Sequence, residues 1–308
     1  MSAADATQDA AGYARPFLRW PGGKRWLVPT IFPILRDIQW DRYIEPFVGG
    51  GAIFFAVAPK VAVLADINPG LINAYRQVRD RCSEVVRILK RMPVSQEVYT
   101  RVRARTRVSG SRAAAEFLYI NRTSFGGIHR VNRSGIMNVP FGGGQRTPRM
   151  LWHGDLLKRA SSVLRGAELC VGDFESVVRH AGAGDVIFCD PTYALPDRRN
   201  GFDRYDSRIF VWDDQRRLYA AVLEAVRRGA SAIISNVDDP RVRALYRKES
   251  IVRVKRFSGI SRESRARGVV RELLIIIRAE KRVFGAQRMV RESDVSTRRN
   301  VSQATGPG

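Results

Sequence analysis

Tyr43-Ile44-Glu45-Pro46-Phe47-Val48-Gly49-Gly50-Gly51-Ala52, followed by Val61-Ala62-Val63-Leu64-Ala65-Asp66, is the stretch that sets the fold class. A short apolar run ends in three glycines, and the apolar segment from Ile53 to Val57 then begins a helix. Glycines at such a junction let backbone approach a ligand closely. The second run reads as a buried strand ending in an acid 17 positions after Gly49. Doubly wound folds place a carboxylate on ribose hydroxyls at about this distance, so Asp66 is the expected ribose ligand. The three consecutive glycines are not the Gly-x-Gly-x-x-Gly of dinucleotide sites, and no Lys-Ser/Thr follows them as in a phosphate loop. Both facts argue against NAD and ATP.

Working outward, further strands are expected at Glu168 to Val171, Val186 to Cys189, Ala232 to Ser235, Val252 to Phe257 and Arg271 to Ile277, with helical segments between most of them. That alternation predicts an α/β fold, a parallel sheet with helices on both faces and ligands at the carboxyl ends of the strands. The region from Tyr75 to Leu164 breaks the alternation. It is long and Arg-rich, and Val131-Asn132-Arg133-Ser134-Gly135-Ile136 reads as a hairpin. The expected organisation is therefore a catalytic domain of residues 16–74 and 165–280 carrying a mainly helical insertion with a β-hairpin at 75–164. Residues 1–15 and the basic stretch 281–308 are expected to be disordered tails.

The chemistry is concentrated at Asp190-Pro191-Thr192-Tyr193, after the apolar run Asp185 to Cys189. The exocyclic amine of a base is a poor nucleophile because its lone pair is delocalised into the ring. Two acceptors held against its hydrogens, here the Asp190 carboxylate and the Pro191 carbonyl, counter that delocalisation, and proline has no N–H to compete. Tyr193 offers a flat face for an extruded base. Asp-Pro after a strand is also ordinary turn chemistry, so this motif gains weight only with the others. Upstream, Phe17-Leu18-Arg19-Trp20-Pro21-Gly22-Gly23-Lys24 joins an aromatic, two glycines and a cation in one loop. This suits a zwitterionic cofactor such as S-adenosylmethionine, whose carboxylate Lys24 could meet.

The order of these motifs resembles the DNA adenine methylases of the Dam type, from about Phe17 to about Arg278. The most specific stretch runs from Leu118 through Asn121-Arg122-Thr123-Ser124-Phe125 to Gly142 and is similar to that family's DNA-reading hairpin. The resemblance implies a Rossmann-like, S-adenosylmethionine-dependent methyltransferase fold with a target-recognition insertion. It implies methyl transfer to the N6 amine of a flipped adenine in double-stranded DNA. Asp190, Pro191 and Tyr193 would be catalytic, although the family's usual motif is Asp-Pro-Pro-Tyr and Thr192 departs from it. Trp20, Gly23, Lys24, Glu45, Pro46, Phe47, Gly49, Gly51, Asp66 and Asp190 would contact the cofactor. Asp173 and Phe174 would receive its adenine by hydrogen bond and stacking. Asn121, Arg122, Phe125, Arg130, Asn132, Arg133 and Asn138 would meet DNA, since Asn and Arg suit bidentate readout of adenine and guanine edges while other cations only position phosphates. The segment Ala194 to Trp212, with Phe202, Tyr205 and Phe210, could close on the flipped base or simply pack its aromatics on the sheet.

The whole-chain balance agrees with a polyanionic partner. A net charge of +23 over 308 residues comes with Arg-rich stretches at Arg101 to Arg107, Arg122 to Arg133 and Arg262 to Arg271. Cys82, Cys170 and Cys189 have no paired spacing, which predicts a reduced, cytoplasmic protein. His129, His153 and His180 form no ligand pattern, so no metal is expected, and no apolar run is long enough to span a membrane. A monomer is the default. A solitary methylase, a phage-borne one and the modification partner of a cognate restriction endonuclease would look alike. Four rival functions share parts of the pattern: methylation of the cytosine N4 amine, methylation of RNA, methylation of a protein glutamine, which would not need the basic insertion, and a DNA-binding module that has lost catalysis. Asp rather than Ser at position 190 favours adenine, and retention of Asp66, Asp190, Tyr193 and the cofactor loop disfavours decay. Because both acceptors and the stacking ring survive at Thr192, Thr192→Pro is expected to leave methylation unchanged or raise it; turnover of the variant on DNA checks this, and a large loss would contradict it.

Overall fold

The computed structural model describes residues 14–105, 109–127, 137–144, 146–152, 154–193, 210–258 and 268–279. Seven strands, β1 (Arg42–Glu45), β2 (Ala62–Asp66), β3 (Ala167–Val171), β4 (Asp185–Cys189), β5 (Ser231–Val237), β6 (Ser250–Ser258) and β7 (Gly268–Ile277), form one sheet in the order β3-β2-β1-β4-β5-β7-β6. They fall on the segments expected from the sequence. The sheet is mixed, however, where helix–strand alternation predicts a parallel one. β1 to β5 pair in parallel, while β7 runs antiparallel to both β5 and β6. The reason is connection length: only residues 259–267 separate β6 from β7, too few for the crossover of a dozen or more residues that parallel neighbours need.

Strand periodicity of two sorts the core into two layers. Tyr43, Leu64, Val186, Phe188, Ile233 and Leu274 face one cluster, and Ile44, Val63, Ala65, Ile187, Ile234 and Ile275 face the other. Over the first face pack α1 (Val28–Arg36), α2 (Ala52–Val57) and α3 (Pro69–Lys90). The second face is covered from later in the chain, after α4 (Gln96–Arg103), α5 (Gly110–Thr123), α6 (Pro148–Leu151) and α7 (Gly154–Leu164), by α8 (Glu175–Val178), α9 (Trp212–Arg227) and α10 (Pro240–Leu245). In α9 the buried residues Gln215, Leu218, Val222 and Ala225 recur at helical spacing and make one inward stripe.

The expected insertion boundary at Tyr75 falls inside α3. This helix starts at Pro69 because the Asn68 side chain accepts from the Leu71 N–H at 3.1 Å and proline at the first position lacks the N–H that would go unpaired. It then continues for 22 residues, and its buried side chains Leu71, Tyr75, Val78, Val85 and Leu89 belong to the same cluster as Leu64 of the sheet and Tyr99, Leu118 and Tyr119 of α4 and α5. The helices of the 75–164 region thus share the sheet's core. The hairpin expected at Val131 to Ile136 lies outside the described residues. Its flanks are paired, with Ser124 and Phe141 forming an antiparallel bridge and the Gly142 N–H donating to the Thr123 carbonyl at 2.8 Å.

Between β1 and β4 the chain changes direction across the sheet, since β2 and β3 lie on one side of β1 and β4 and β5 on the other. Such a switch point leaves a crevice at the carboxyl ends of the strands. At the far side of β2, Gly166 enters β3 so close to the preceding loop that a Cβ there would collide with the Lys60 carbonyl oxygen, while its own carbonyl accepts the Ala62 N–H at 3.0 Å. Neither backbone can yield without disturbing the β2–β3 pairing. Gly166→Ala is therefore expected to destabilise the fold by about 2–3 kcal/mol, the upper part of the overpacking range, which a thermal melt followed by circular dichroism would read as a midpoint lowered by roughly 5–10 °C.

Candidate active site

Four chain segments meet at the carboxyl edge of β1, β4 and β5. Asp190 follows β4, and its side chain is 21% exposed. The Lys24 ammonium, buried, stands 3.0 Å from Asp190 Oδ1 and also donates to the Gly22 carbonyl at 3.2 Å. Ser235, near the end of β5, donates its hydroxyl to the same Oδ1 by a short hydrogen bond. Both partners fall on one oxygen. Tyr193 completes the group: Lys24 Nζ lies 4.9 Å from its ring centroid, and its hydroxyl donates to Glu272 Oε2 at 2.6 Å. Burial pushes the Asp190 carboxyl above the usual carboxylate range; the Lys24 charge and the Ser235 hydrogen bond pull it back, while the Glu272 charge adds to the rise. The Tyr193 hydroxyl is pushed up chiefly by burial and then by the negative charges of Asp190 and Glu272. Pro191 is buried and Thr192 exposed.

The glycine turn after β1 is shaped by an indole. A Cβ on Gly49 would stand 2.8 Å from two atoms of the Trp20 ring, and one on Gly51, whose φ is +65°, would stand 2.7 Å from the Tyr75 hydroxyl. That hydroxyl donates to the Gly49 carbonyl at 3.0 Å, fastening the turn to α3. Asp66 Oδ2 accepts the Gly49 N–H at 3.1 Å and Oδ1 the Asn68 N–H at 2.9 Å. Burial raises its carboxyl and these two N–H groups oppose the rise. Glu45 and Pro46 are buried beneath the turn, and Glu45 accepts from the Tyr43 hydroxyl at 2.9 Å. Gly23 is exposed and closes a tight turn onto the Trp20 carbonyl.

Beside the turn stands a packed aromatic cluster, with Phe174 and Phe210 buried and Phe47 partly buried. Phe47 lies 5.4 Å from Phe174 and 5.6 Å from Phe210, centroid to centroid. Asp173 Oδ1 accepts the Glu175 N–H at 3.0 Å, and Arg217 bridges Asp173, Glu175 and Asp214 with its guanidinium 5.0 Å over the Phe174 ring. Phe210 thus packs on the sheet side at Phe47 and Phe174, while Phe202 and Tyr205 lie outside the described residues.

The expected DNA contacts divide. Asn121 is fully buried, and its amide makes a double hydrogen bond to the backbone of Arg19, accepting the N–H at 2.9 Å and donating to the carbonyl at 2.6 Å. It clamps the 17–24 loop and has no edge left for a base, which corrects its assignment as a reader. Arg122 likewise turns inward, donating to the Phe17 carbonyl at 2.9 Å, with burial lowering its guanidinium to about 10. Phe125 and Asn138 are exposed. Arg130, Asn132 and Arg133 lie outside the described residues. The sequence reading missed Glu272, Ser235 and Arg217. No role follows from an acid or a serine near a strand end until the neighbouring strand is known.

Among the described residues, a cavity of about 280 Å³ ringed by Arg87, Arg91, Arg101, Arg105 and Arg112 lies away from this constellation, and one of about 500 Å³ borders it at Asp173 and Arg217. Among the described residues no cluster of three potential metal ligands occurs, and no helix is long and apolar enough to cross a membrane.

Comparison with known proteins agrees with this geometry. Residues 20–260 match the family model described as D12 class N6 adenine-specific DNA methyltransferase. The chain is 32% identical to the type II methyltransferase M1.LlaDCHI of Lactococcus lactis subsp. cremoris, across 85% of this chain and 94% of that one. It is 36% identical to a DNA adenine methylase of Vibrio cholerae, across 85% and 95%, and 32% identical to the DNA adenine methylase of Escherichia coli K12, again across 85% and 95%. With the family model spanning most of its length and relatives matched almost end to end, the chain belongs to the D12 class N6 adenine-specific DNA methyltransferases.

Proposed function

We propose that this adenine-specific DNA methyltransferase takes its methyl group from S-adenosylmethionine, held across the Trp20–Gly49–Asp66 turn and the Phe47–Phe174 cluster, and delivers it to an adenine extruded from duplex DNA against Asp190 and Tyr193. The observation that carries this reading is the Asp190 carboxylate. Its Oδ1 is occupied by Lys24 and Ser235, and Oδ2 has no partner among the described residues. One oxygen is anchored and the other is left to accept a hydrogen from an exocyclic amine.

The residues fit the cofactor. Asp66 is half-exposed at the strand end, and each of its oxygens accepts one N–H with lone pairs to spare for ribose hydroxyls. The Gly49-Gly50-Gly51 turn carries no Cβ between the backbone and Trp20. Phe47, partly buried, offers apolar surface for a purine, with Phe174 packed against it and Asp173 beside them. Lys24, although expected to meet the cofactor carboxylate, is engaged with Asp190; backbone N–H groups of the 20–24 loop are then left to that role. When bound, S-adenosylmethionine supplies an electrophilic methyl on a sulfonium.

The chain's own part is positioning and electrostatics. Asp190 Oδ2 and the Pro191 carbonyl accept the two amine hydrogens, which returns electron density to the nitrogen. As the nitrogen gained its bond to the methyl carbon and the carbon–sulfur bond of the donor broke to leave a neutral thioether, the nitrogen would turn cationic, and the Asp190 carboxylate would stabilise that charge and receive the departing proton. Tyr193 stacks on the base. Buried Ser235 and Lys24 hold the carboxylate against rotation. Double-stranded DNA would run over the exposed Phe125 and Asn138 and the basic 75–164 region, with Arg130, Asn132 and Arg133 the remaining candidates for base readout. A cognate restriction endonuclease would be a functional partner if the enzyme serves a modification system, as the name of the Lactococcus relative suggests for that protein.

The purified protein, incubated with labelled S-adenosylmethionine and plasmid from a host lacking DNA methylation, should label adenine at a defined motif found by single-molecule sequencing. Asp190→Ala should lower turnover by at least about 100-fold, as loss of a preorganised charge contact does, with cofactor and DNA binding retained. Label entering RNA or cytosine instead would sink the reading. The acid limb of kcat should also lie above the ordinary aspartate range, because burial raises Asp190 and only its ionised form accepts from the amine. Lys24→Met, which removes the cation that pulls the carboxyl down, should move that limb to higher pH; a rate profile measured from pH 4 to 9, roughly the span between ordinary carboxylate and amine titration, checks the direction.

A further inference from the structure

Glu272 is the least expected member of the site. It is the fifth of the ten residues of β7, at the end of that strand's pairing with β5, and is 1% exposed. Because β7 is antiparallel to β5, its early residues reach the carboxyl edge of the sheet, where Glu272 is paired in register with Val237. There its Oε2 accepts the Tyr193 hydroxyl at 2.6 Å and stands 3.7 Å from Lys24 Nζ. A buried carboxylate is costly, and an apolar side chain of the same volume is often at least as stabilising. Packing alone does not account for an acid here. Both contacts go to groups that the preceding reading places at the substrate: the ring that stacks on the base and the cation that anchors Asp190.

Resting on that reading, we propose that Glu272 is a positioning residue for methyl transfer, fixing the plane of the Tyr193 ring through its hydroxyl and sharing Lys24 with Asp190 so that Asp190 Oδ2 stays turned towards the adenine amine. A tyrosine free to rotate would offer its face only part of the time. With both its hydroxyl and its ring held, by Glu272 and by Lys24 lying over it, the stacking surface is set before the base arrives. Lys24 is in turn held between two carboxylates and anchors Asp190 by one oxygen only. The charged and titratable groups around Asp190 are Lys24 from the 17–24 loop, Tyr43 and Glu45 from β1, Cys189 and Tyr193 on either side of it, and Glu272 from β7.

The test uses the full chain with Glu272→Gln, which keeps the shape and an acceptor for Tyr193 but removes the charge, together with Tyr193→Phe, the double variant and Asp190→Ala. Methylation of unmethylated plasmid is followed against pH, S-adenosylhomocysteine affinity by calorimetry, and folding by thermal melting. Glu272→Gln should lower kcat by roughly 10–100-fold, the scale of a small misplacement of a reacting group, with KM for DNA and S-adenosylhomocysteine affinity within about threefold of wild type. Its acid limb should move to lower pH, because a negative charge that disfavours ionised Asp190 is gone. Adding Tyr193→Phe should cost less in the Glu272→Gln background than in wild type, since the hydrogen bond it removes has there already lost its charge assistance. Wild-type kcat with an unmoved acid limb in Glu272→Gln would overturn the proposal, as would a loss of rate matched by equal losses of melting temperature and S-adenosylhomocysteine affinity. Full activity of Asp190→Ala would instead locate the failure in the reading of the site itself.

Discussion

A single ammonium, Lys24 Nζ, held between the carboxylates of Asp190 and Glu272, is the interaction on which the rest of the site depends. Desolvating a carboxylate costs several kcal/mol, and a buried charge deprived of its partner costs about 3–5 kcal/mol. The three groups therefore hold one another in place, and through them three segments of chain: the 17–24 loop, the end of β4 and β7. The loop has no regular structure until the short turn at Arg25–Leu27, so it needs other anchors. They come from α5, where Asn121 grips the backbone of Arg19 from both sides and Arg122 grips Phe17. Electrostatics in the site and packing of the helical region are thus coupled through one loop.

That coupling explains why the region expected to be an inserted recognition unit shares the sheet's core. The C-terminal end of α5 both carries the clamp on the 17–24 loop and opens into the Ser124–Phe141 bridge at the base of the expected DNA-reading hairpin. Asn121 illustrates how residue type misleads here. An amide that suits an adenine edge suits a backbone peptide equally well, because both present one donor beside one acceptor, and only burial tells the two uses apart.

The cofactor side is built on a different principle. Trp20, Tyr75 and Asp66 converge on the glycine turn from the loop, from α3 and from β2, and each fixes it by a close approach or a hydrogen bond that a side chain at Gly49 or Gly51 would block. The aromatic cluster of Phe47, Phe174 and Phe210 continues that surface, with Arg217 and the acids around it forming a polar rim. The proposed substrate and cofactor regions meet over β1 and β4, where the sheet order reverses.

All seven strands, the glycine turn, Asp66 and the Asp190 motif were legible in the sequence, because each depends on local properties: apolar runs of strand length, glycines where backbone must come close, and an acid at a strand end. These also carried the family resemblance. The direction of β7 was not legible, since helix–strand alternation predicts parallel pairing and says nothing of a strand slipped back between two others. With it went Glu272, which in a parallel strand would have stood at the opposite edge of the sheet, and Ser235, whose meaning depends on Asp190 being its neighbour. The sequence by itself determined the fold class and the family resemblance. Only the tertiary structure decided which acid faces which cation and which polar side chains are spent inside, because burial and pairing are properties of segments far apart in the chain brought within a few ångströms of each other.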